Sequence, residues 1–208
     1  MKKENSNLQF WERVAHLYTP FVEKGNKKMY GDLCNNIRPY LTKDMKVLEL
    51  ACGTGQLTLS LCEDVQEWYA TDFSQKMIDE LNKRSLSTSL HCELQDATNL
   101  TYPDHQFDVV IIANALHIMP NPNQALKEIN RVLKDDGILI APTFIHEAKT
   151  NRIKIWLMER IGFITFHKWT SSQFKFYIIS QGFEVISHSI LYGNLFPECV
   201  IIARKKVS

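Results

Sequence analysis

An apolar strand that ends in a loop of small residues is the feature that most constrains this chain. The run from Val47 to Gly55 reads VLELACGTG, and a helical pattern follows Gln56. Glycines at positions 53 and 55 remove the Cβ atoms that would keep a ligand from the backbone, and the next helix begins with unpaired N–H groups. The loop is compatible with a ligand site, although a plain turn is the commoner explanation of an isolated glycine pair.

Four more short apolar runs follow, with helical periodicity between them. With the first, the predicted strands are Lys46 to Leu50, Trp68 to Thr71, Leu90 to Leu94, Phe107 to Ala113 and Ile138 to Phe144. Ser74 can cap a helix that runs to about Ser85, and Asn121 with Pro122 matches the start of another helix. Lys134 to Gly137 predicts a turn into the fifth strand. This alternation predicts an α/β fold with a doubly wound, mainly parallel sheet.

The two ends of the chain depart from this alternation. Phe10 to Val22 and Lys27 to Leu41 predict an N-terminal helical cap. His146 to Lys168 is a basic and aromatic stretch with helical periodicity. Thr170 to Gln173 then matches a capping box, which opens a helix that Gly182 should end.

Two last strands, Phe183 to Leu191 and Cys199 to Arg204, predict a hairpin-like edge. The expected fold is therefore Rossmann-like, with a mainly parallel seven-stranded sheet, an antiparallel edge strand and the helical cap. A length of 208 residues favours one domain. Its expected parts are a helical cap over 1–42, a ligand-binding core over 43–145, a lid-like helical segment over 146–170, and a C-terminal helix with a strand pair over 171–208.

Composition restricts the class of partner and the compartment. With a formal net charge of +1, the chain has no general field that attracts nucleic acid. Its 5 cysteines are scattered and form no C-x-x-C pair, which favours a reducing compartment. The sequence shows no signal peptide and no run long and apolar enough to span a membrane, so we expect a cytoplasmic protein.

A carboxylate follows the glycine loop at an informative spacing. The second predicted strand ends in ATDF, which places Asp72 at the same edge of the sheet as Gly53. A carboxylate there can accept two hydrogen bonds from the vicinal hydroxyls of a ribose. Asp72 taken alone could equally belong to the cap of the next helix, but its separation from the loop favours a nucleoside site.

Two other nucleotide loops are excluded by the letters themselves. A dinucleotide fingerprint needs G-x-G-x-x-G, and the third glycine would fall on Thr58. A phosphate loop needs G-x-x-x-x-G-K-[ST], and no lysine follows Gly55.

The segment from Val47 to Phe144 instead resembles the class I S-adenosylmethionine-dependent methyltransferases, particularly the small-molecule branch that includes the ubiquinone and menaquinone C-methyltransferases. That family begins with an acidic-x-Gly-x-Gly-x-Gly pattern, which is similar to the stretch from Glu49 to Gly55 with Ala51 as a mild departure. The resemblance implies S-adenosyl-L-methionine as cofactor and no metal. The cofactor-binding residues that it implies are Tyr18, Glu49, Ala51, Cys52, Gly53, Gly55, Asp72, Phe73, Met77, Asp96, Ala97, Ala113 and Asn114.

The implied reaction is a direct in-line displacement in which the protein aligns the methyl acceptor. Where the acceptor must lose a proton, His117 is the first candidate base and His146 the second. Alternatively, His117 hydrogen-bonds a loop or touches the cofactor. Phe73 and Met77 could likewise be core residues.

The expected partner is a small-molecule methyl acceptor whose identity the sequence does not reveal; nor does it indicate an oligomeric state. A nucleic-acid methyltransferase is disfavoured, because enzymes that methylate amino groups carry an Asn/Asp-Pro-Pro-aromatic box where this chain has NALH from Asn114. A lipid acceptor and a non-catalytic S-adenosylmethionine-binding module stay open as alternatives. Lys149 to Lys168 is expected to be a lid rather than a membrane contact.

Overall fold

A seven-stranded mixed sheet forms the centre of the computed structural model, which describes residues 27–84, 87–146, 165–193 and 197–206. The strands are β1 (Lys46–Leu50), β2 (Glu67–Asp72), β3 (Leu90–Leu94), β4 (Phe107–Ile112), β5 (Leu133–Phe144), β6 (Phe183–Tyr192) and β7 (Pro197–Lys205). Their order across the sheet is β3-β2-β1-β4-β5-β7-β6. Strands β1 to β5 pair in parallel, whereas β7 pairs antiparallel with both β5 and β6. The predicted parallel core with antiparallel pairing at one edge is confirmed.

Helices cover both faces of this sheet. They are α1, helical over 27–37, α2 (Thr58–Leu61), α3 (Gln75–Asn82), α4 (Pro122–Val132) and α5 (Ser171–Ser180). Alternate residues of β1 serve the two faces: Leu48 packs in one core with Ile129 of α4, and Val47 packs in the other with Leu81 of α3. A strand that is buried on both faces is typical of a doubly wound fold.

Most predicted elements have the expected places. The capping box of α5 is present, with Gln173 N donating to Thr170 Oγ1 and Thr170 N donating to Gln173 Oε1. The helix ends before Gly182, which has φ +89°. The predicted helix from Phe10 to Val22 and most of the stretch from His146 to Lys168 lie outside the described residues.

The turn predicted at Lys134 to Gly137 is wrong, because β5 begins at Leu133, directly after α4. Leu133 pairs with Phe107, and the register then shifts before Ile138 pairs with Val109. An ion pair of 2.6 Å between Lys134 Nζ and Asp108 Oδ1 spans this irregular region. Pairing with β4 therefore extends the strand across polar residues that would otherwise form a turn.

In the part of the chain that the structure describes, no helix combines the length and the apolar character that a membrane crossing requires.

Candidate functional site

A cavity of about 750 Å³ lies where β1, β2 and β4 end. The carboxyl ends of parallel strands meet at one edge of a sheet, and ligands of open α/β folds bind in the crevice outside that edge. Every residue predicted to bind the cofactor lines this cavity except Gly55 and Tyr18. Tyr18 lies outside the described residues. Segments distant in the sequence are thus brought to one pocket.

The loop after β1 is shaped by left-handed backbone conformations. Ala51 and Gly53 both have φ +55°, and Gly55 has φ +87°. Cys52 N donates to Thr71 O at 2.9 Å, which fastens the loop to the end of β2. Gly55 serves packing rather than the cavity wall, because a Cβ there would lie 2.3 Å from Leu81 Cδ1.

Replacing Gly55 by alanine is expected to lower the free energy of unfolding by about 2–4 kcal/mol, since the new Cβ strains the left-handed backbone and displaces a buried leucine. Urea unfolding measures the change. Gly31→Ala is the matched control, because Gly31 lies in α1 and a Cβ there meets nothing within 4 Å. That control should be stabilising by about 0.5–1 kcal/mol. Equal effects of the two substitutions would contradict this account of the loop.

Asp72 joins the glycine loop to the start of the next helix. Its Oδ2 accepts a hydrogen bond from Gly53 N at 3.0 Å, and its Oδ1 accepts one from Ser74 N at 2.9 Å. The side chain is buried yet lines the cavity. Burial raises the pKa of Asp72 to about 6, although these backbone N–H groups oppose the shift. A carboxylate held by backbone donors on both oxygens has a fixed orientation and still offers lone pairs to a ligand.

Glu49 is a second buried carboxylate in the cavity wall. Its Oε2 accepts hydrogen bonds from Thr58 Oγ1 and from Trp68 Nε1, the latter at 3.0 Å. Burial raises the pKa of Glu49 to about 7, and both hydrogen bonds act in the opposite direction. Two carboxylates in one largely buried wall favour a ligand that carries positive charge or several hydrogen-bond donors.

The side of the cavity beyond β2 combines apolar surface with a polar turn. Phe73 is half-exposed and Met77 is buried, and both line the cavity. Asp96 Oδ1 accepts hydrogen bonds from Thr98 N at 2.8 Å and from Thr98 Oγ1 at 2.7 Å, which shapes the turn that also places Ala97 on the wall. An apolar surface beside a carboxylate suits a flat heterocycle that bears an amino group.

The loop after β4 forms the opposite wall. Asn114 has φ +54°, and its backbone N–H donates to Pro142 O at 2.8 Å. The wall continues through apolar residues that include Ala115, Ile118 and Met119. Asn114 Nδ2 also donates to Glu198 Oε1 at 2.5 Å, a contact from β7 that sequence reasoning missed.

The two predicted bases do not line the cavity. His117 is buried, and its Nδ1 lies 3.0 Å from Thr143 Oγ1. Burial lowers the pKa of His117 to about 3, with smaller contributions from His146 and His167. His146 is half-buried just past β5, where its backbone N–H donates to Trp169 O at 2.8 Å. Both catalytic assignments stay predictions.

Among the described residues, no group of three or more His, Cys, Asp or Glu side chains is arranged to hold a metal ion.

Comparison with known proteins gives one consistent family. Residues 48–141 match the family model described as a methyltransferase domain. Over 140 residues the chain is 40% identical to the demethylmenaquinone methyltransferase of Lactobacillus johnsonii, covering 60% of this chain and 57% of that protein. It is 31% identical over 152 residues to the ubiquinone/menaquinone biosynthesis C-methyltransferase UbiE of Paraburkholderia phytofirmans, covering 65% of this chain and 60% of that protein. The matched stretches thus span less than two thirds of these relatives.

Solved structures share the fold at low sequence identity. A Thermotoga maritima protein described as a SAM-dependent methyltransferase, possible histamine N-methyltransferase, has a TM-score of 0.75 at 20% identity over 95% of this chain and 99% of that one. The [4+2]-cyclase SpnF has a TM-score of 0.70 at 20% identity over 85% of this chain and 82% of that one. At these identities the likeness shows the fold alone, and the similarity to methyltransferases rests on the sequence matches. Residues 48–141 therefore match a methyltransferase domain, and the chain is similar in sequence to demethylmenaquinone and ubiquinone/menaquinone methyltransferases.

Proposed function

We propose that this chain transfers a methyl group from S-adenosyl-L-methionine to a small-molecule acceptor. The observation that carries the proposal is the junction of Asp72 with the glycine loop: a buried carboxylate lies in the cavity wall and holds Gly53 N at 3.0 Å. At this junction one ligand can meet both the carboxylate oxygens of Asp72 and the backbone of Gly53, which no Cβ shields. A nucleoside with an amino-acid tail has complementary groups.

Each part of this cofactor has a matching region of the cavity wall. Asp72 would accept hydrogen bonds from the ribose hydroxyls, and Phe73 with Met77 would contact the adenine, whose amino group would face Asp96. The amino-acid tail would lie along Gly53, where Glu49 supplies a second carboxylate. All of these residues line one cavity of about 750 Å³, which is within the usual range for ligand sites.

The cofactor supplies a methyl group on a positively charged sulfur, which a nucleophile can displace directly. The protein contributes alignment and a dry environment. The Glu49 and Asp72 carboxylates favour a cationic ligand over a neutral one, since both are buried and neither has an ion-pair partner among the described residues. The apolar side chains of Ala115, Ile118 and Met119 line the proposed acceptor side, where they would favour an apolar acceptor over water.

We propose a quinol ring as the acceptor, because the curated relatives are named for demethylmenaquinone and ubiquinone/menaquinone methylation. The apolar wall after β4 fits a flat ring better than it fits a charged acceptor. A ring carbon must supply an electron pair to the methyl group and then lose its proton, so the reduced ring is the competent form. His117, with its pKa of about 3, is a weak base for that proton.

Titration calorimetry with S-adenosylmethionine and its demethylated product tests the cofactor part of this proposal. We expect binding of both, with dissociation constants on the order of micromolar, a free energy of about −8 kcal/mol. Transfer of a labelled methyl group to reduced demethylmenaquinone, with oxidised demethylmenaquinone as the comparison, tests the acceptor part. Binding without transfer to any small molecule would contradict catalysis and favour the cofactor-binding module. Transfer to another small molecule but not to the quinol would contradict only the quinone acceptor.

A nucleic-acid acceptor is not favoured. The formal net charge of +1 provides no general attraction to phosphates.

A further inference from the structure

Three separate chain segments meet behind the wall that β4 contributes to the cavity. Asn114 follows β4, Pro142 lies near the end of β5, and Glu198 is near the start of β7. Antiparallel pairing places Glu198 opposite Phe144 at the carboxyl end of β5. Glu198 is fully buried, whereas Asn114 lines the cavity. The Glu198 carboxylate thus lies behind the cavity wall and is connected to the cavity through the side chain of Asn114.

The contact between these two residues is short and polar. Asn114 Nδ2 donates to Glu198 Oε1 at 2.5 Å. The backbone N–H of Asn114 donates to Pro142 O at 2.8 Å, so both the main chain and the side chain of this residue are held. Its φ of +54° is a left-handed conformation that asparagine tolerates better than most residues with a side chain. This geometry specifies the orientation of the amide.

Two oxygen atoms of the pair have no hydrogen-bond partner among the described residues. Asn114 Oδ1 and Glu198 Oε2 are both buried and unpartnered there. Buried acceptors without a donor are costly and rare in native proteins, so Asn114 Oδ1 calls for a donor that arrives with a ligand or with water. Asn114 lines the cavity and Glu198 does not, so we take Asn114 Oδ1, rather than Glu198 Oε2, as the atom that a bound ligand would satisfy.

We propose that Glu198 is a positioning residue for the methyl-transfer site: it accepts a hydrogen bond from Asn114 Nδ2 and thereby leaves Asn114 Oδ1 to accept one from an N–H or O–H group of a bound ligand. The inference rests on the proposed function, since it assigns a task within the same cavity. The donor comes from one of two sources, the amino group of the cofactor's amino-acid tail or a hydroxyl group of the methyl acceptor. Without the Glu198 carboxylate, the Asn114 amide loses the partner that determines whether its oxygen or its nitrogen faces the cavity.

Four variants test this inference: Glu198→Ala, Glu198→Gln, Asn114→Ala and the double variant Glu198→Ala/Asn114→Ala. Glutamine keeps a carbonyl oxygen that accepts from Asn114 Nδ2. Its NH2 group would take the place of Oε2, which accepts no hydrogen bond from a described residue, so no donor would face that NH2 group. Glu184→Ala is the control, because Glu184 is exposed on the neighbouring strand β6. Circular dichroism and thermal melting identify any variant that fails to fold, and Glu198→Gln keeps the test usable if Glu198→Ala does so.

The direct readout is the side-chain amide signal of Asn114 in nitrogen-15 NMR. We expect slow hydrogen exchange of that amide in the wild type and in Glu198→Gln, and fast exchange in Glu198→Ala. Calorimetry with S-adenosylhomocysteine and methyl transfer to reduced demethylmenaquinone then identify the source of the donor. Weaker cofactor binding assigns it to the amino group, whereas unchanged cofactor binding with a lower kcat/KM for the quinol assigns it to the acceptor.

We expect Glu198→Ala and Asn114→Ala each to weaken one of these two readouts by about tenfold, and Glu198→Gln to stay within about twofold of the wild type. The double variant should lose no more cofactor affinity or kcat/KM than Asn114→Ala loses, because Glu198 acts through Asn114. Additive losses, an unchanged Asn114 signal in Glu198→Ala, or a Glu198→Gln variant as impaired as Glu198→Ala would each overturn the inference. A wild-type chain that ignores S-adenosylhomocysteine would instead contradict the proposed function, before any variant is compared.

Discussion

Replacing Asp72 by alanine is expected to weaken the binding of S-adenosylmethionine by about a hundredfold or more. The substitution removes a carboxylate that would accept hydrogen bonds from two ribose hydroxyls, and charge-assisted bonds of this kind contribute about 1.5–3 kcal/mol each. It also removes the acceptor of Gly53 N and of Ser74 N, so the glycine loop loses a hydrogen bond to β2 and keeps the one from Cys52 N to Thr71 O. Both losses act on the same ligand, and calorimetry measures their sum.

Two companion variants show whether the effect belongs to the site. Asp79→Ala is the matched control, since Asp79 is exposed on α3 and its carboxylate accepts a hydrogen bond from Gln75 Nε2 on the same helix. It should leave affinity unchanged. Asp72→Asn should also impair binding, because an amide NH2 group cannot accept from a backbone N–H and both oxygens of Asp72 now do so. Wild-type affinity in Asp72→Asn would show that the carboxylate does not contact the ligand.

The stability of the chain is expected to depend on pH through His117. Its pKa is about 3 in the folded chain against an ordinary value of 6.5, because the imidazole is buried. Between those values the unfolded chain binds one proton more than the folded chain. The stability that this difference provides is complete above pH 6.5 and is lost progressively as the pH falls towards 3.

A comparison of the wild type with His117→Asn isolates this contribution. Asp72 and Glu49 act in the opposite direction, since their raised pKa values relieve the penalty of burial as the pH falls, but they are present in both proteins. From about pH 7.5 to about pH 5.5, the wild type should lose about 1.4 kcal/mol of unfolding free energy relative to the variant. Urea unfolding at both pH values gives the difference. A difference that does not change with pH would mean that His117 is protonated without penalty in the folded chain.

Local patterns predicted the strands that carry the site. The bounds of β1 and β3 agree with the apolar runs, because the small residues of the glycine loop follow the first run and polar residues follow the second. The place of Asp72 at the end of β2 follows from the same argument, since parallel strands end at one edge. Strand bounds and the positions of residues at strand ends could therefore be predicted, because a single strand and the loop after it determine them.

Features that depend on distant partners could not be predicted. The beginning of β5 is set by the pairing of Leu133 with Phe107 and by the ion pair between Lys134 and Asp108, which the local turn signal does not contain. Glu198 was missed for the same reason, because its partner Asn114 is 84 positions away. The only local signal is one acidic residue at the start of an apolar strand.

A crystal structure of the chain with S-adenosylhomocysteine tests the central claim most directly. We predict that the ribose hydroxyls lie within hydrogen-bond distance of the Asp72 carboxylate and that the amino-acid tail lies along the backbone at Gly53. A ligand bound elsewhere on the chain, or one whose ribose does not contact Asp72, would contradict the assignment of this cavity.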